Sequence, residues 1–238
     1  MPEDQRTPSP APLTELLLRA PAEVIGLIPG SSNGALLIVL EDGPLAIYKP
    51  VRFERPLHDF PPGLHRRELA SFLVARALGM EFIPPIVLRS DLPYGVGSIQ
   101  LFIATDRPRH YFEMLEEAEL HPQLALVAAF DLVVNNADRK AGHLIAGEDG
   151  HLYAIDNALT FNARPKLRTV IWEFGGTPIA DELQERLAVL SSRVDPEIGG
   201  LLQEAEVDAL AARASWLARA GRLPQVDAER RSYPWPLV

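Results

Sequence analysis

The chain contains no cysteine. Disulfides, thiolate metal sites and a cysteine nucleophile are therefore excluded, and the absence fits a cytoplasmic protein, the localisation expected here. It also lacks surplus positive charge. With 23 Lys and Arg against 32 Asp and Glu, the formal net charge is -9. No excess of cations is present to displace counterions, so nonspecific nucleic-acid binding is not expected. The same balance argues against a general binder of anionic membranes. No uncharged apolar run approaches the ~20 residues a membrane helix needs, so no stable membrane insertion is expected. The stretch Met1–Pro12 is polar and proline-rich and has no apolar signal core. It reads as a disordered tail, not a secretion signal.

What is present is ordinary for a globular protein: 47% apolar and 23% charged residues. A chain of 238 residues is long enough for one good core or two small lobes. The 22 prolines are spread along it and predict many rigid loops. A short helix is expected over Thr14–Ala20. Strand-like runs follow at Val24–Ile28, Ala35–Leu40 and Leu45–Lys49, separated by turns at Pro29–Gly34 and Glu41–Pro44. That spacing predicts an antiparallel meander. Leu64–Leu78 reads as a helix with Leu69, Phe72, Leu73 and Ala77 at helical spacing, ended by Gly79. Two further strands are expected over Ile83–Arg89 and Gly97–Ile103.

The second half reads as mainly helical. Gln123–Val134 is apolar enough for a buried helix. A hairpin of His143–Ala146 and His151–Ile155 turns at Gly147–Gly150, and helices are expected over Ala180–Ser191 and Glu204–Ala220. The end, Pro224–Val238, is proline-rich and extended. The class is α+β, with a tail over 1–12, a sheet-bearing part over 13–103 and a helical part over 104–238.

The chemistry-bearing residues follow the buried helix. Asp138 lies in the loop after it, beside Asn136 and Arg139; His143 opens the hairpin and Asp156 closes it. A loop carboxylate can accept the proton of an attacking hydroxyl, or it can bond its own backbone in an Asx turn. If the two strands pair, His143 and Asp156 converge at the open end of the hairpin, where they could bind a divalent ion. The alternatives are a core histidine and an aspartate capping the turn that follows. Imidazole suits Mn²⁺ better than Mg²⁺, which prefers oxygen. In the first half, Lys49 ends a strand and Glu68 lies on the next helix. Such a pair places an ammonium on nucleotide phosphates in kinase folds, or else consists of two unrelated surface charges. The small residues Ser31, Ser32 and Asn33 in the first turn allow backbone groups to approach phosphate, or form a plain hairpin turn. Arg139, Lys140, Lys166 and Arg168 could receive an anionic substrate or form a solvated face.

In order, these residues resemble a kinase of the phosphatidylinositol 3-/4-kinase-like superfamily. The catalytic segments are similar to those of type II phosphatidylinositol 4-kinases, where a D-x-x-x-x-N-x-D-R loop precedes an I-D-N-G-L-x-F segment. Here Asp131, Asn136, Asp138 and Arg139 match the first, and Ile155, Asp156, Asn157, Leu159 and Phe161 match the second. Over nearly the whole chain the sequence also looks like an uncharacterised actinobacterial family of that superfamily, sharing Ser31–Asn33, Tyr48–Pro50, Arg66–Glu68, Asn135–His143 and Lys166–Thr169.

The resemblance implies a two-lobed protein-kinase-like fold with ATP in the cleft and Mg²⁺ or Mn²⁺ as the ion. In it, Asp138 and Arg139 are catalytic and Asp156 is a metal ligand. Lys49 and Glu68 form the lysine–glutamate pair, and Gln100, Leu101, Phe102 and Ile103 form the hinge that holds adenine. His143 stands where type II enzymes carry an asparagine ligand, and Ala158 replaces the glycine of I-D-N-G. The lipid substrate is not carried over.

The expected activity is phosphoryl transfer from ATP to a hydroxyl of a small molecule or protein. A pseudokinase or AMP transferase on the same fold is the first alternative, and a nucleotide-free metal-binding domain or hydrolase the second. Oligomeric state is not legible in the sequence.

Overall fold

The computed structural model describes residues 10–29, 31, 34–41, 43–105, 109–147 and 150–238. Ser32, Asn33 and the start of the expected tail lie outside them. Two compact units are formed, one from residues up to Pro56 together with Pro85–Phe102, the other from Leu57–Pro84 together with Ile103–Val238.

The first unit is a five-stranded antiparallel sheet with a helix. Helix α1 (Pro10–Arg19) reaches back into the stretch read as a tail. It is followed by β1 (Ala22–Leu27), β2 (Leu36–Leu40) and β3 (Leu45–Pro50). The helix α2 (Leu64–Ala77) intervenes before β4 (Ile86–Arg89) and β5 (Gly97–Leu101). The sheet order is β1-β2-β3-β5-β4, so the meander stops at β3, and β5 enters between β3 and β4. Alternation along the strands sorts the two faces. Leu36, Ile38, Leu40, Ala46, Tyr48 and Ile99 join Leu17 of α1 in one apolar cluster. Lys49 pairs in register with Ser98, and Ile47 with Gln100, so these four side chains occupy the opposite face. Arg89 fastens α1 to the sheet: its guanidinium donates to the carbonyls of Leu17 and Ala20 and grips Asp91 through two N–H groups at 2.9 and 2.6 Å. A cation on a helix's last carbonyls is favourable for both hydrogen bonding and dipole.

The second unit is helical around a small hairpin. Besides α2 it contains α3 (Tyr111–Met114), α4 (His121–Val134), the hairpin β6 (Leu144–Ala146) with β7 (Leu152–Ala154), α5 (Asp181–Ser192), α6 (Pro196–Gly199) and α7 (Glu204–Ala220). Helices α5 and α7 pack on each other, burying Leu183, Leu187 and Leu190 on one and Leu210, Ala214 and Leu217 on the other. That i, i+4, i+7 spacing is one apolar stripe on each helix.

On α2 the expected apolar stripe is displaced. Phe72 is buried as expected, but Leu69 and Leu73 are half-buried and Ala77 is exposed, while Leu64, Arg67, Glu68, Ser71, Val74 and Ala75 also face inward. Polar residues tolerate that face because they are paired there. Arg67 donates to Glu206 at 2.6 Å and to the Thr160 carbonyl at 2.8 Å, and Ser71 lies 3.2 Å from the Asn157 carbonyl. Among the described residues no helix is long and apolar enough to cross a membrane.

Candidate active site

Helix α4 ends where the site begins. Its cap, Asn135, has a left-handed backbone (φ 55°), a conformation that asparagine tolerates better than most residues. Its side chain donates to the carbonyls of Asn162 and Arg164, both at 2.8 Å, and accepts the Lys166 N–H at 2.9 Å. One residue thus turns the chain out of the helix and ties the turn to a second loop.

An aspartate inside the apolar helix supplies the anchor. Asp131 has no exposed surface, and neither has Arg139, whose guanidinium grips it. Nε and Nη2 of Arg139 donate to the carboxylate at 3.0 Å; Nη2 also donates to Asn157 Oδ1 at 2.6 Å, and Nη1 to the Ile155 carbonyl at 2.9 Å. Asn136 Nδ2 also donates to the carboxylate at 3.0 Å, as does Thr169 Oγ1 at 3.5 Å, and Asn136 Oδ1 accepts the backbone N–H of Asp138. The fork of Arg suits such bidentate pairing better than any lysine could.

The consequence is positional. Arg139 binds the Asp138 loop and the Ile155–Asn157 segment to one buried carboxylate. Ala137 N–H to Leu159 O (2.8 Å) and Phe161 N–H to Val134 O (2.6 Å) stitch the same two segments by backbone. Arg139, expected to be catalytic, is fully enclosed, with its guanidinium engaged by Asp131, Asn157 and the Ile155 carbonyl.

Asp138 and Asp156 then lie on adjacent loops. Burial pushes the Asp138 carboxyl above the usual carboxylate range; Lys140, 3.0 Å from it, pulls it back, and the charge of Asp156 pushes it up again. His143 Nε2 stands 3.6 Å from Asp156 Oδ2, with the histidine mostly covered and the aspartate half-exposed. The Lys140 N–H points at His143 Nδ1 from 3.4 Å, a long contact that helps to orient the ring. Among the described residues no group of three or more His, Asp and Glu side chains gathers to hold a metal ion. One nitrogen and one carboxylate do face each other, a donor set that fits a divalent ion completing its shell with phosphate oxygens and water.

The other expected residues are placed separately. Lys49 is half-buried on β3 in the sheet unit, and Glu68, 2% exposed, sits on α2 in the helical unit. Ser31 turns its hydroxyl onto the Ala35 N–H at 2.9 Å, inside its own turn. Along 100–103, Gln100 is buried and pairs with Ile47 and Ile86. The N–H groups of Leu101 and Phe102 are engaged with the carbonyls of Pro85 and Leu45, both at 3.0 Å. Asp131, Asn157 and Thr169 are site-forming residues to which the sequence assigns no role. A charged residue in the middle of an apolar helix is the signal that pointed to Asp131, because it must find a partner.

No protein-family model matches the chain. It is 34% identical to Protein Rv2133c of Mycobacterium tuberculosis (strain ATCC 25618 / H37Rv), across 90% of this chain and 91% of that one. The chain belongs to that protein's family. Its fold is kinase-like. A crystal structure of the Golgi casein kinase with Mn/ADP bound superposes with a TM-score of 0.57 at 14% identity, covering 96% of this chain and 80% of that one. The structure of hydra Fam20 with sugar gives 0.54 at 17%, covering 87% and 86%. The Helicobacter pylori proinflammatory kinase CtkA gives 0.51 at 11%, covering 87% and 94%. At such identities the likeness is one of fold.

Proposed function

We propose that the protein is an atypical kinase of the phosphatidylinositol 3-/4-kinase-like superfamily, moving the γ-phosphate of ATP onto a hydroxyl of a small molecule or protein. The observation that carries this reading is the Asp131–Arg139–Asn157 network. It sets Asp138 and Asp156 on two loops stitched side by side, one carboxylate for the acceptor and one for the ion. Asp138, kept partly protonatable by burial, takes the proton of the attacking hydroxyl or holds it in line. Lys140 stands beside it as a cation for the phosphate charge. His143 and Asp156 would hold the divalent ion, which when bound neutralises charge on the nucleotide phosphates. That the Golgi casein kinase structure contains Mn and ADP supports the choice of nucleotide and ion class. Lys49, Glu68, Ser31 to Asn33 and the Gln100–Ile103 segment are proposed to serve the nucleotide, on the strength of the sequence resemblance.

The test is isotope labelling with Mn²⁺ and ATP. Label transferred from the γ-position, and lost in Asp138→Asn while a nucleotide-induced rise in melting temperature persists, is the expected result. Label from the α-position would replace this reading with AMP transfer. Binding without label would make the protein a pseudokinase. Absence of any nucleotide effect on melting would end the nucleotide reading, because saturation at 100 times Kd adds about 2.7 kcal/mol of stability.

A further inference from the structure

The segment after α7 returns to the back of the site. Past a short helical turn at Ala228–Arg230, two carbonyls of residues 231–238 meet the candidate catalytic loops. Ser232 O accepts the Thr169 N–H at 3.1 Å, and Leu237 O accepts the Ala141 N–H at 2.7 Å. Between them Pro234 is buried, while Trp235 stands 87% exposed.

Both donors belong to segments that hold the site. Thr169 pairs with Arg139 in a parallel bridge, through Arg139 N–H to Arg168 O and Val170 N–H to Arg139 O. Its remaining backbone N–H points away from that bridge, to Ser232. The returning segment is therefore a third ply, laid on Thr169 as Thr169 is laid on Arg139. Ala141 opens the tight turn that delivers His143, closed by His143 N–H to Lys140 O at 3.1 Å. The His143 carbonyl in turn takes the Ile155 N–H at 2.9 Å, next to Asp156. A buried amide deprived of its acceptor is costly, so the turn needs Leu237 O or a substitute.

We propose that Ser232–Val238 is a positioning strap: it fixes the Ala141–His143 turn, and through it the His143–Asp156 pair, so that its release weakens divalent-ion binding at that pair. This rests on the kinase reading for the ion, but not for the strap's hold on the loop.

Two variants separate the strap from global folding. One is a chain ending at Arg231. The other is Ala141→Pro in the full chain, which deletes the N–H and adds a ring at a buried position. Lys140 is extended (φ -84°, ψ 162°), as a residue before proline should be, and the first position of a helical turn accepts proline. Amide hydrogen exchange without nucleotide is measured first. Both variants are expected to exchange residues 139–145 roughly tenfold faster, about what one lost hydrogen bond allows, with α5 and α7 unchanged. A Mn²⁺ titration should then show a Kd about tenfold weaker than that of the intact chain. Unchanged exchange at 139–145 in the truncated chain overturns the proposal, as does an equal acceleration throughout α5 and α7. If Ala141→Pro does not fold, the truncated chain decides alone. If the intact chain binds no Mn²⁺, the kinase reading loses its ion, while the exchange result still decides the strap.

Discussion

Replacing Arg139 by lysine tests the proposed scaffold of the site most directly. The guanidinium reaches three separate acceptors: the Asp131 carboxylate, Asn157 Oδ1 and the Ile155 carbonyl. A lysine keeps the charge, but its three protons radiate from one nitrogen and cannot span that set. At least one buried acceptor is left without its donor, and the ion pair loses its bidentate geometry. Removing one side of a buried pair costs about 3–5 kcal/mol; with the charge retained, about 3 kcal/mol is expected. For a chain of this size that is a fall of roughly 6–12 °C in Tm. Thermal and urea unfolding of Arg139→Lys measure it. The companion experiment is a double-variant cycle with Arg139→Met and Asp131→Leu. Each alone strands a buried partner; together they remove both charges, so a coupling of about 2 kcal/mol or more is expected. A loss under about 1 kcal/mol for Arg139→Lys, or simple additivity in the cycle, would refute the claim that this network holds the two loops together.

Three further outcomes are expected. The Lys166 ammonium, 2.9 Å from Asp59, holds that carboxyl below its usual range. A depressed folded-state pKa contributes stability above the unfolded carboxylate pKa and loses it as pH falls through the folded value. Lys166→Met should thus cost about 0.5 kcal/mol near neutrality and nothing in acid, and a wild-type advantage that grows on acidification would contradict the pairing. Gly97→Ala should destabilise by about 1–3 kcal/mol, since its Cβ would sit 2.5 Å from the Lys49 carbonyl and 2.6 Å from the Tyr48 ring; a neutral melting curve would show that β3 and β5 can part more easily than their packing implies. His143→Asn should shift ion preference from Mn²⁺ toward Mg²⁺ in transfer assays, because an oxygen donor replaces imidazole; an unchanged ratio would remove His143 from the ion.

Much of the fold could be read in advance because its elements are locally consistent. Glu204–Ala220 has the predicted helix bounds, and β2, β3 and the small hairpin each fall within a residue or two of expectation. Alternation and turn residues carried those elements. Pairing order was not legible: nothing in the sequence of β4 and β5 says that β5 enters beside β3, because both are short apolar runs. The α2 stripe was legible only in part, with Phe72 buried as expected, for a different reason. Periodicity counts apolar residues, whereas the buried face of α2 is carried partly by Arg67, Glu68 and Ser71; Arg67 and Ser71 find partners 139 and 86 positions away. The sequence pointed to Asp138, His143 and Asp156 from residue chemistry, and the structure brings His143 to within 3.6 Å of Asp156. The difference in burial between the adjacent Asp138 and Arg139, one partly covered and the other sealed, was not legible in the sequence, because it depends on the buried Asp131 of α4. The strap was equally hidden, since its contacts are backbone carbonyls that any residue type provides.

The two neighbouring cations of the loop differ in how they meet dissolved salt. Mobile ions screen exposed charges over a Debye length of about 8 Å at physiological strength, but have little purchase on an enclosed pair. The clamp on Asp131 is sealed from solvent, whereas the contact between Lys140 and Asp138 is open along one side. Raising ionic strength therefore loosens the lysine's hold on Asp138 while the frame beneath stays rigid, giving a single loop one permanent charge and one adjustable charge side by side.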